Sequence, residues 1–404
     1  MTKFRLGPGL LVSAAFIGPG TIVTASTAGA GYGAALLWTI VFAVAAAIVL
    51  QDMAARVGIA GRQGFGESIR ASIGSPALRR TLTLLVGAGI LLGNAAFQAG
   101  NLLGASLGFN LLTGFHANIG VLLMGGTAAA LLLSGRYKTI QNVLIGLVVT
   151  MSVVFCIVAA LTTPSIRELA AGVLVPRIPP GGLLVVLALI GTTVVTYNLF
   201  LHASTALEQW PDAARNDANV REARFDTIVS VALGGLVTAS VLVTAMPLHG
   251  LGGEVSAATI GQRLQPLLGP GAPLLFRAGL FAAGLTSSIT APLAAAYAAA
   301  GAFGWTSDLG SARMRLAWGF VLVTGLLSAL LFGGSPFRVI VLAQASNAIL
   351  LPLLLVFLLV IANRTEIMGR FRNSRLSNVL GGTVVLVIAV LSAVQLARLA
   401  GFLE

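Results

Sequence analysis

Acidic residues are scarce in this chain, with 12 Asp and Glu among 404 residues against 24 Lys and Arg. They are Asp52, Glu67, Glu168, Glu208, Asp212, Asp217, Glu222, Asp226, Glu254, Asp308, Glu366 and Glu404. All fall in connecting segments or near the ends of apolar runs. A cage of carboxylates for a hard divalent cation is therefore not expected in the middle of any run. Cysteine is nearly absent: Cys156 is the single copy, so an intrachain disulfide is excluded, and its apolar setting reads as packing. Charge of either sign is low, at 9% of residues. A soluble core of this size needs far more polar surface to cover it. No polar domain exists to carry a nucleic-acid face, so the net charge of +12 does not point to nucleic acid.

What is present is apolar surface in long runs: 57% of residues are hydrophobic and the mean hydropathy is +0.97. A run of about 20 apolar residues matches a hydrocarbon core at 1.5 Å per residue. Eleven spans are predicted, near 8–30, 34–56, 81–108, 117–134, 140–162, 182–206, 225–248, 272–300, 314–333, 337–361 and 378–400. The 49 glycines suit close helix packing in a bilayer and places where a helix breaks. The first run follows Lys3 and Arg5 but is interrupted by Gly18-Pro19-Gly20, a poor signal-peptide core, and reads as a retained first helix.

Placing the N-terminus in the cytoplasm puts 18 Lys and Arg on the inner side and 6 elsewhere, the asymmetry expected of a multi-pass protein of the cell membrane. The Arg-rich stretch at 364–375 is assigned to topology and anionic-lipid contact. Five spans precede the loop at 163–181 and five follow it before the last span. An odd number per half inverts the second half. The expected organisation is one transmembrane domain over 1–404, with a first repeat over 1–162, an inverted repeat over 182–361 and an extra helix at 378–400. In transporters with such repeats, the first helix of each half is often discontinuous. Span one has its break signal at Gly18-Pro19-Gly20-Thr21, where proline removes a backbone donor. Span six offers Gly191-Thr192-Thr193 or Thr196-Tyr197-Asn198, without proline.

At these residues the chain resembles the Nramp family of divalent-metal transporters. Gly7-Pro8-Gly9 through Gly18-Pro19-Gly20-Thr21 resembles the opening helix with its Asp-Pro-Gly-Asn motif. Asn198-Leu199-Phe200-Leu201-His202 is similar to the end of the Met-Pro-His-Asn-Leu-Phe-Leu-His motif. Leu285-Thr286-Ser287-Ser288-Ile289-Thr290 is similar to the eighth-helix Gln-Ser-Ser-Thr-Ile-Thr stretch. Gln344, Leu351 and Pro352 fit the tenth helix, and Asn363 to Gly369 with Asn373 to Gly381 fit the approach to the eleventh. The resemblance covers nearly the whole chain in order. It implies an all-α, LeuT-like fold of eleven transmembrane helices in a 5+5 inverted repeat, with helices one and six broken, working by alternating access. It also implies a substrate site at Gly18, Thr21, Val195, Thr196, Tyr197, Asn198 and Gln344, and a polar or coupling pathway at Gln98, Asn101 and His202.

The departures fall on the chemistry. Where the family has its metal-binding Asp, Asn and Met, this chain has Gly18, Thr21 and Val195. The motif's Pro and first His become Thr196 and Tyr197, and the third-helix acids align with the amides Gln98 and Asn101. Restoring Asp, Asn and Met at 18, 21 and 195 is expected to raise metal affinity if the backbone geometry is inherited.

Near the breaks the residues themselves supply hydroxyls and an amide: Thr21, Thr24, Ser26, Thr192, Thr193, Thr196, Tyr197 and Asn198. A dehydrated divalent ion without a balancing anion is poorly held at low dielectric. His202 is the expected titratable group in the membrane, with a neutral packing histidine as the alternative. Asn94, Gln98 and Asn101 share one face of span three, as pathway lining or as hydrogen-bond glue between helices. Ser287, Ser288 and Thr290 are a monovalent-ion site or back-bond within their helix. Arg277 and Arg338 attract an anion or snorkel to headgroups. The expected cavity lies between spans one, three, six, eight and ten, lined by Thr21, Gln98, Thr196, Asn198 and Gln344.

Two functions remain open: a metal-ion transporter with an eroded divalent-metal site, and the same scaffold carrying a neutral or anionic small solute without proton coupling through the usual carboxylates. A sensor or scaffold is a third class, disfavoured by the lack of a soluble domain. No catalytic constellation, cofactor or metal-ligand set is assigned, so a transporter rather than an enzyme is expected. Its partners are a small ion or solute and the lipid bilayer. The sequence sets no oligomeric state, and a monomer suffices for this plan.

Overall fold

The computed structural model describes residues 7–210, 217–250, 265–266, 269–332 and 336–399; for 332, 336–349 and 398–399 it describes the backbone alone. Gln344, Arg338 and Asn347 thus have side chains outside the described residues. The described helices are α1 (Pro8–Phe16), α2 (Pro19–Tyr32), α3 (Leu37–Gly61), α4 (Phe65–Ala71), α5 (Pro76–Thr113), α6 (Ala117–Leu133), α7 (Tyr137–Leu161) and α8 (Ile166–Leu174). They continue with α9 (Leu183–Thr193), α10 (Thr196–Gln209), α11 (Asp217–Ala245), α12 (Gly271–Phe303), α13 (Ala312–Phe332), α14 (Pro336–Asn363), α15 (Thr365–Met368) and α16 (Arg375–Leu399). No strand occurs among the described residues.

All eleven predicted spans fall on helix, but among the described residues only eight continuous stretches are both long and apolar enough to cross a membrane unaided. Three features account for the difference. Pro19–Gly61 runs on for 43 residues. At 1.5 Å per residue it would measure about 65 Å, twice a hydrocarbon core, so it is two elements. The 3-10 turn Gly33–Leu36 divides it, with Gly33 at φ +56°, a left-handed value that glycine adopts without strain. Ala117–Leu133 has 17 residues and falls just short. In span ten the described side chains begin at Leu350, and Leu350–Asn363 is followed by Thr365–Phe371, bent 64° away from it.

Both first helices of the halves are broken. Span one leaves helix at Ile17 (φ −83°, ψ 75°) and Gly18 (φ −107°, ψ −178°), and Pro19 opens α2 at the position where a missing N–H costs least. Span six breaks at Val194 (φ −98°, ψ 96°) and Val195 (φ −115°, ψ 139°). That is between the two segments the sequence offered: helix runs through Gly191-Thr192-Thr193 and restarts at Thr196. Two adjacent β-branched residues favour the extended backbone, and they take the place of a proline here.

The core is built on α12, whose Ala291 to Ala300 face is wholly buried. Its small side chains let α5 lie against it, and a Cβ added at Gly284 would collide with the backbone of Ala105. Gly104, one residue earlier on α5, brings that helix against the ring of Pro19 in the same way. The long helix α5 is thereby pressed onto the break of span one, and this contact positions the site.

Candidate functional site

The two breaks face one another across a cavity of about 40 Å³. Its walls include Gly18, Thr21, Asn101, Val195, Tyr197 and Ser287, with Phe97 and Gly100 of α5 closing one side. Among the described residues no carboxylate, imidazole or thiol lines it. Among the described residues no cluster of three or more His, Cys, Asp or Glu is placed to hold a metal.

The end of α1 leaves carbonyls without helical partners, and side chains from both breaks satisfy them. Thr21 Oγ1 donates to the Phe16 carbonyl at 2.5 Å, and Tyr197 Oη donates to the Ala15 carbonyl at 3.1 Å. Tyr197 thus ties the second break to the first, and its ring meets Phe97 edge-on at 6.1 Å. Asn101 Nδ2 donates to the Ser287 carbonyl at 3.2 Å. Ser287 Oγ is buried without a hydrogen-bond partner among the described residues. That leaves one polar group in the wall free to meet a ligand.

Gly18 is the most informative position. A Cβ built on it would meet Ser287 Oγ at 2.7 Å and Ser287 Cβ at 3.3 Å, with Asn101 Oδ1 at 3.5 Å. The space a side chain would use at 18 is already taken by the neighbouring serine.

The structure separates the sequence candidates. Gly18, Thr21, Asn101, Val195 and Tyr197 come together on the cavity wall. Gln98, Thr196 and Asn198 do not, contrary to the expected lining. All three are buried; Gln98 points into the α5–α12 interface, where Nε2 donates to the Ser288 carbonyl at 2.9 Å. It acts as interhelical glue there. Asn94 bonds back to the Ile90 carbonyl of its own helix. Asn198 is fully buried on the first turn of α10, and neither side-chain polar atom has a partner among the described residues. Ser288 and Thr290 back-bond to the Gly284 and Thr286 carbonyls of α12, leaving only Ser287 free. Arg277 Nη1 donates to the Leu111 carbonyl at the end of α5.

His202 is also fully buried and off the cavity wall; its Nδ1 lies 3.1 Å from Gln51 Oε1, and its Nε2 has no partner among the described residues. It is not the one titratable group inside the protein. Asp226 of α11 is fully buried and accepts hydrogen bonds from the Gly7 and Gly9 N–H groups at 3.0 and 2.7 Å and from Ser230 Oγ at 3.1 Å. Its carboxylate caps the start of α1, where the helix dipole favours negative charge. Glu208, at the end of α10, accepts from Tyr297 Oη at 2.5 Å. Sequence reasoning placed both acids at span ends. The glycine N–H groups facing Asp226 lie more than 200 positions away, so no local signal marked them.

Paired broken helices at the middle of an all-α bundle define a class, the membrane transporters of the LeuT-like fold. Within it, a family model described as natural resistance-associated macrophage protein-like matches residues 9–398, and the chain belongs to the Nramp family. It is 29% identical over 403 residues to a protein named divalent metal cation transporter MntH from Yersinia pestis (strain Pestoides F), covering 98% of this chain and 95% of the relative. The protein of that name from Yersinia enterocolitica serotype O:8 is 30% identical over the same shares. A solved manganese transporter from Eremococcus coleocola superposes with a TM-score of 0.82 at 24% identity, covering 97% of this chain and 86% of that one. MhsT, solved in complex with L-phenylalanine, superposes with a TM-score of 0.67 at 15% identity over 97% and 98% of the chains.

Proposed function

We propose that this chain is an alternating-access transporter of a metal cation in the cell membrane, with a cytoplasmic N-terminus and repeats over 1–162 and 182–361. Its site is the cavity at the two breaks. Gly18 and Val195 contribute backbone there, Thr21, Tyr197, Asn101 and Ser287 contribute neutral oxygens, and no described residue contributes charge. The relatives named for divalent metals support the substrate class. The observation that carries the reading is the cavity itself, which lies between the two breaks and, at about 40 Å³ in this conformation, is sized for an ion with a few waters.

Neutral oxygens hold a divalent cation weakly, because they return little of the free energy lost on dehydration. The cation therefore keeps part of its water shell. The C-terminal ends of α1 and α9 supply partial negative charge toward the cavity. The Ala15 and Phe16 carbonyls, held by Tyr197 and Thr21 in this structure, are ligands that open when those hydroxyls turn away. The absence of carboxylates from the wall also favours a second reading, a small neutral or anionic solute at the N-terminal ends of α2 and α10.

Uptake into proteoliposomes tests the proposal, with Mn²⁺ outside and a pH dye inside. Saturable Mn²⁺ uptake that falls in Tyr197→Phe is expected. Uptake no faster than in protein-free vesicles would refute the metal reading and direct the search to small anions. Loss of a pH signal in His202→Gln would assign coupling to that residue; a pH signal that persists would assign it elsewhere, with the half-buried Glu208 and the buried Asp226 the carboxyls to test.

A further inference from the structure

A second and larger cleft, of about 540 Å³, opens at one end of the bundle between α3, α11 and the start of α16. It exists because α16 packs on α14 and α3 and leaves the neighbouring face of α11 uncovered. Among the described residues five arginines line it, Arg56, Arg221, Arg224, Arg370 and Arg372, against Asp52 and Asp217.

Those charges are not equivalent. Arg56 is buried and structural: its guanidinium bonds Asp52 at 2.9 Å, the Phe371 carbonyl at 2.8 Å and Asn373 Oδ1 at 2.8 Å. Arg224 shares the same Asp52 at 2.8 Å, and Arg370 pairs with Asp217 at 3.2 Å. Both carboxylates are then used. Arg221 and Arg372 have no ion-pair partner among the described residues, and both are exposed. The cleft therefore carries an excess of positive charge with two free guanidinium groups, the donor geometry that grips a phosphate oxygen pair.

The rest of the wall is apolar and open. Ile228, Leu376 and Leu380 are 43%, 67% and 44% exposed. Arg221, Arg224 and Ile228 lie three and four positions apart on one face of α11, with the arginines toward the helix start and the isoleucine deeper along the span. Leu376 and Leu380 repeat the same order on α16. Going inward, the cleft passes from guanidinium groups to exposed aliphatic side chains over about 10 Å, at 1.5 Å per residue. A soluble anion uses only the first part. An amphiphile with an anionic head and hydrocarbon tails uses both.

We propose that this cleft is a binding site for one anionic phospholipid, its phosphate held by Arg221 and Arg372 and its acyl chain lying against Ile228, Leu376 and Leu380. The occupant joins α16 to α11 across the cleft, so it stabilises the eleventh span against the bundle.

The test uses the full-length protein, purified in detergent and freed of lipid, with its thermal midpoint followed on titration. Phosphatidylglycerol, phosphatidylcholine of the same acyl chains and inorganic phosphate are compared. Phosphatidylglycerol is expected to raise the midpoint, and the other two to leave it unchanged. Arg221→Gln/Arg372→Gln is expected to bind phosphatidylglycerol about thirty-fold more weakly, from the roughly five-fold per arginine typical at an anionic surface. Arg79→Gln/Arg80→Gln, which removes a basic pair elsewhere on the surface, is expected to respond as wild type. Ile228→Asn, which leaves every arginine in place, is expected to weaken the lipid and to have no effect toward phosphate. The proposal is overturned by an equal response to phosphatidylcholine, by inorganic phosphate reproducing the shift, or by a wild-type response in the Arg221/Arg372 variant.

Discussion

Substituting Gly18→Asp returns a carboxylate to the break of span one, into space that Ser287 already fills. The new Cβ would stand 2.7 Å from Ser287 Oγ, closer than real Cβ atoms come to a neighbour. Overpacking of this kind costs about 1–3 kcal/mol, and an uncompensated buried carboxylate costs several more. In metal-free solution Gly18→Asp is therefore expected to be destabilised by roughly 3 kcal/mol or more. Ser287→Ala removes the oxygen and leaves the Cβ at 287, at 3.3 Å, which a small shift absorbs, and Asn101 Oδ1 at an ordinary contact distance of 3.5 Å. In the double variant the clash is gone and the charge remains. At 4 Å and an effective dielectric of 20, a carboxylate attracts a divalent cation by roughly 8 kcal/mol before desolvation. Desolvation takes back most of that, and a gain of about ten-fold or more in Mn²⁺ affinity is expected over Ser287→Ala alone. Restoring family residue types at 18, 21 and 195 without touching Ser287 leaves the collision in place and is expected to gain less. Calorimetric titration with Mn²⁺, paired with thermal melts without metal, reads both effects. A Gly18→Asp protein as stable as wild type, or a double variant with no gain in affinity, would refute the reasoning.

Two further outcomes concern acidic side chains. Asp226→Asn keeps one acceptor for the N–H groups of Gly7 and Gly9 but loses the charge at the start of α1; a loss of about 2 kcal/mol is expected, with faster hydrogen exchange confined to peptides covering 7–16, and unchanged exchange there would show that the cap does not hold α1. Glu67 of α4 is half-buried, and burial pushes its carboxyl above the ordinary value. A carboxyl raised in this way favours the folded state below its unfolded value, and that advantage disappears as pH rises through its folded value. Glu67→Gln is accordingly expected to melt with wild type at pH 4 and above it at pH 8, and a pH-independent difference would contradict the assignment.

Much of the architecture was legible in one dimension because a bilayer imposes it. Every backbone polar group must be satisfied within the segment, so long apolar runs are helices, and their length gives the number of spans. The break at Gly18-Pro19 was readable for the same reason, since proline removes a donor wherever it stands. The break of span six was not placed from sequence, because Val194 and Val195 lean toward extended backbone but valines are common throughout apolar runs and carry no break signal as sharp as proline's.

The sequence by itself determined that this is a multi-pass helical protein of Nramp type, since that depends on residue identity and apolar run length alone. Only the tertiary structure decided which polar residues share a cavity. Gln98 and Asn101 lie one helical turn apart on α5 and look alike as amides. Yet Gln98 is spent on the Ser288 carbonyl within an interface, while Asn101 reaches the cavity wall. Likewise, nothing local shows that Ser287 fills the space beside Gly18 or that Asp226 reaches the N-terminus of α1. Contacts between residues so far apart in the chain depend on how closely helices approach, and that is set by where the small residues of α5 and α12 let two backbones meet.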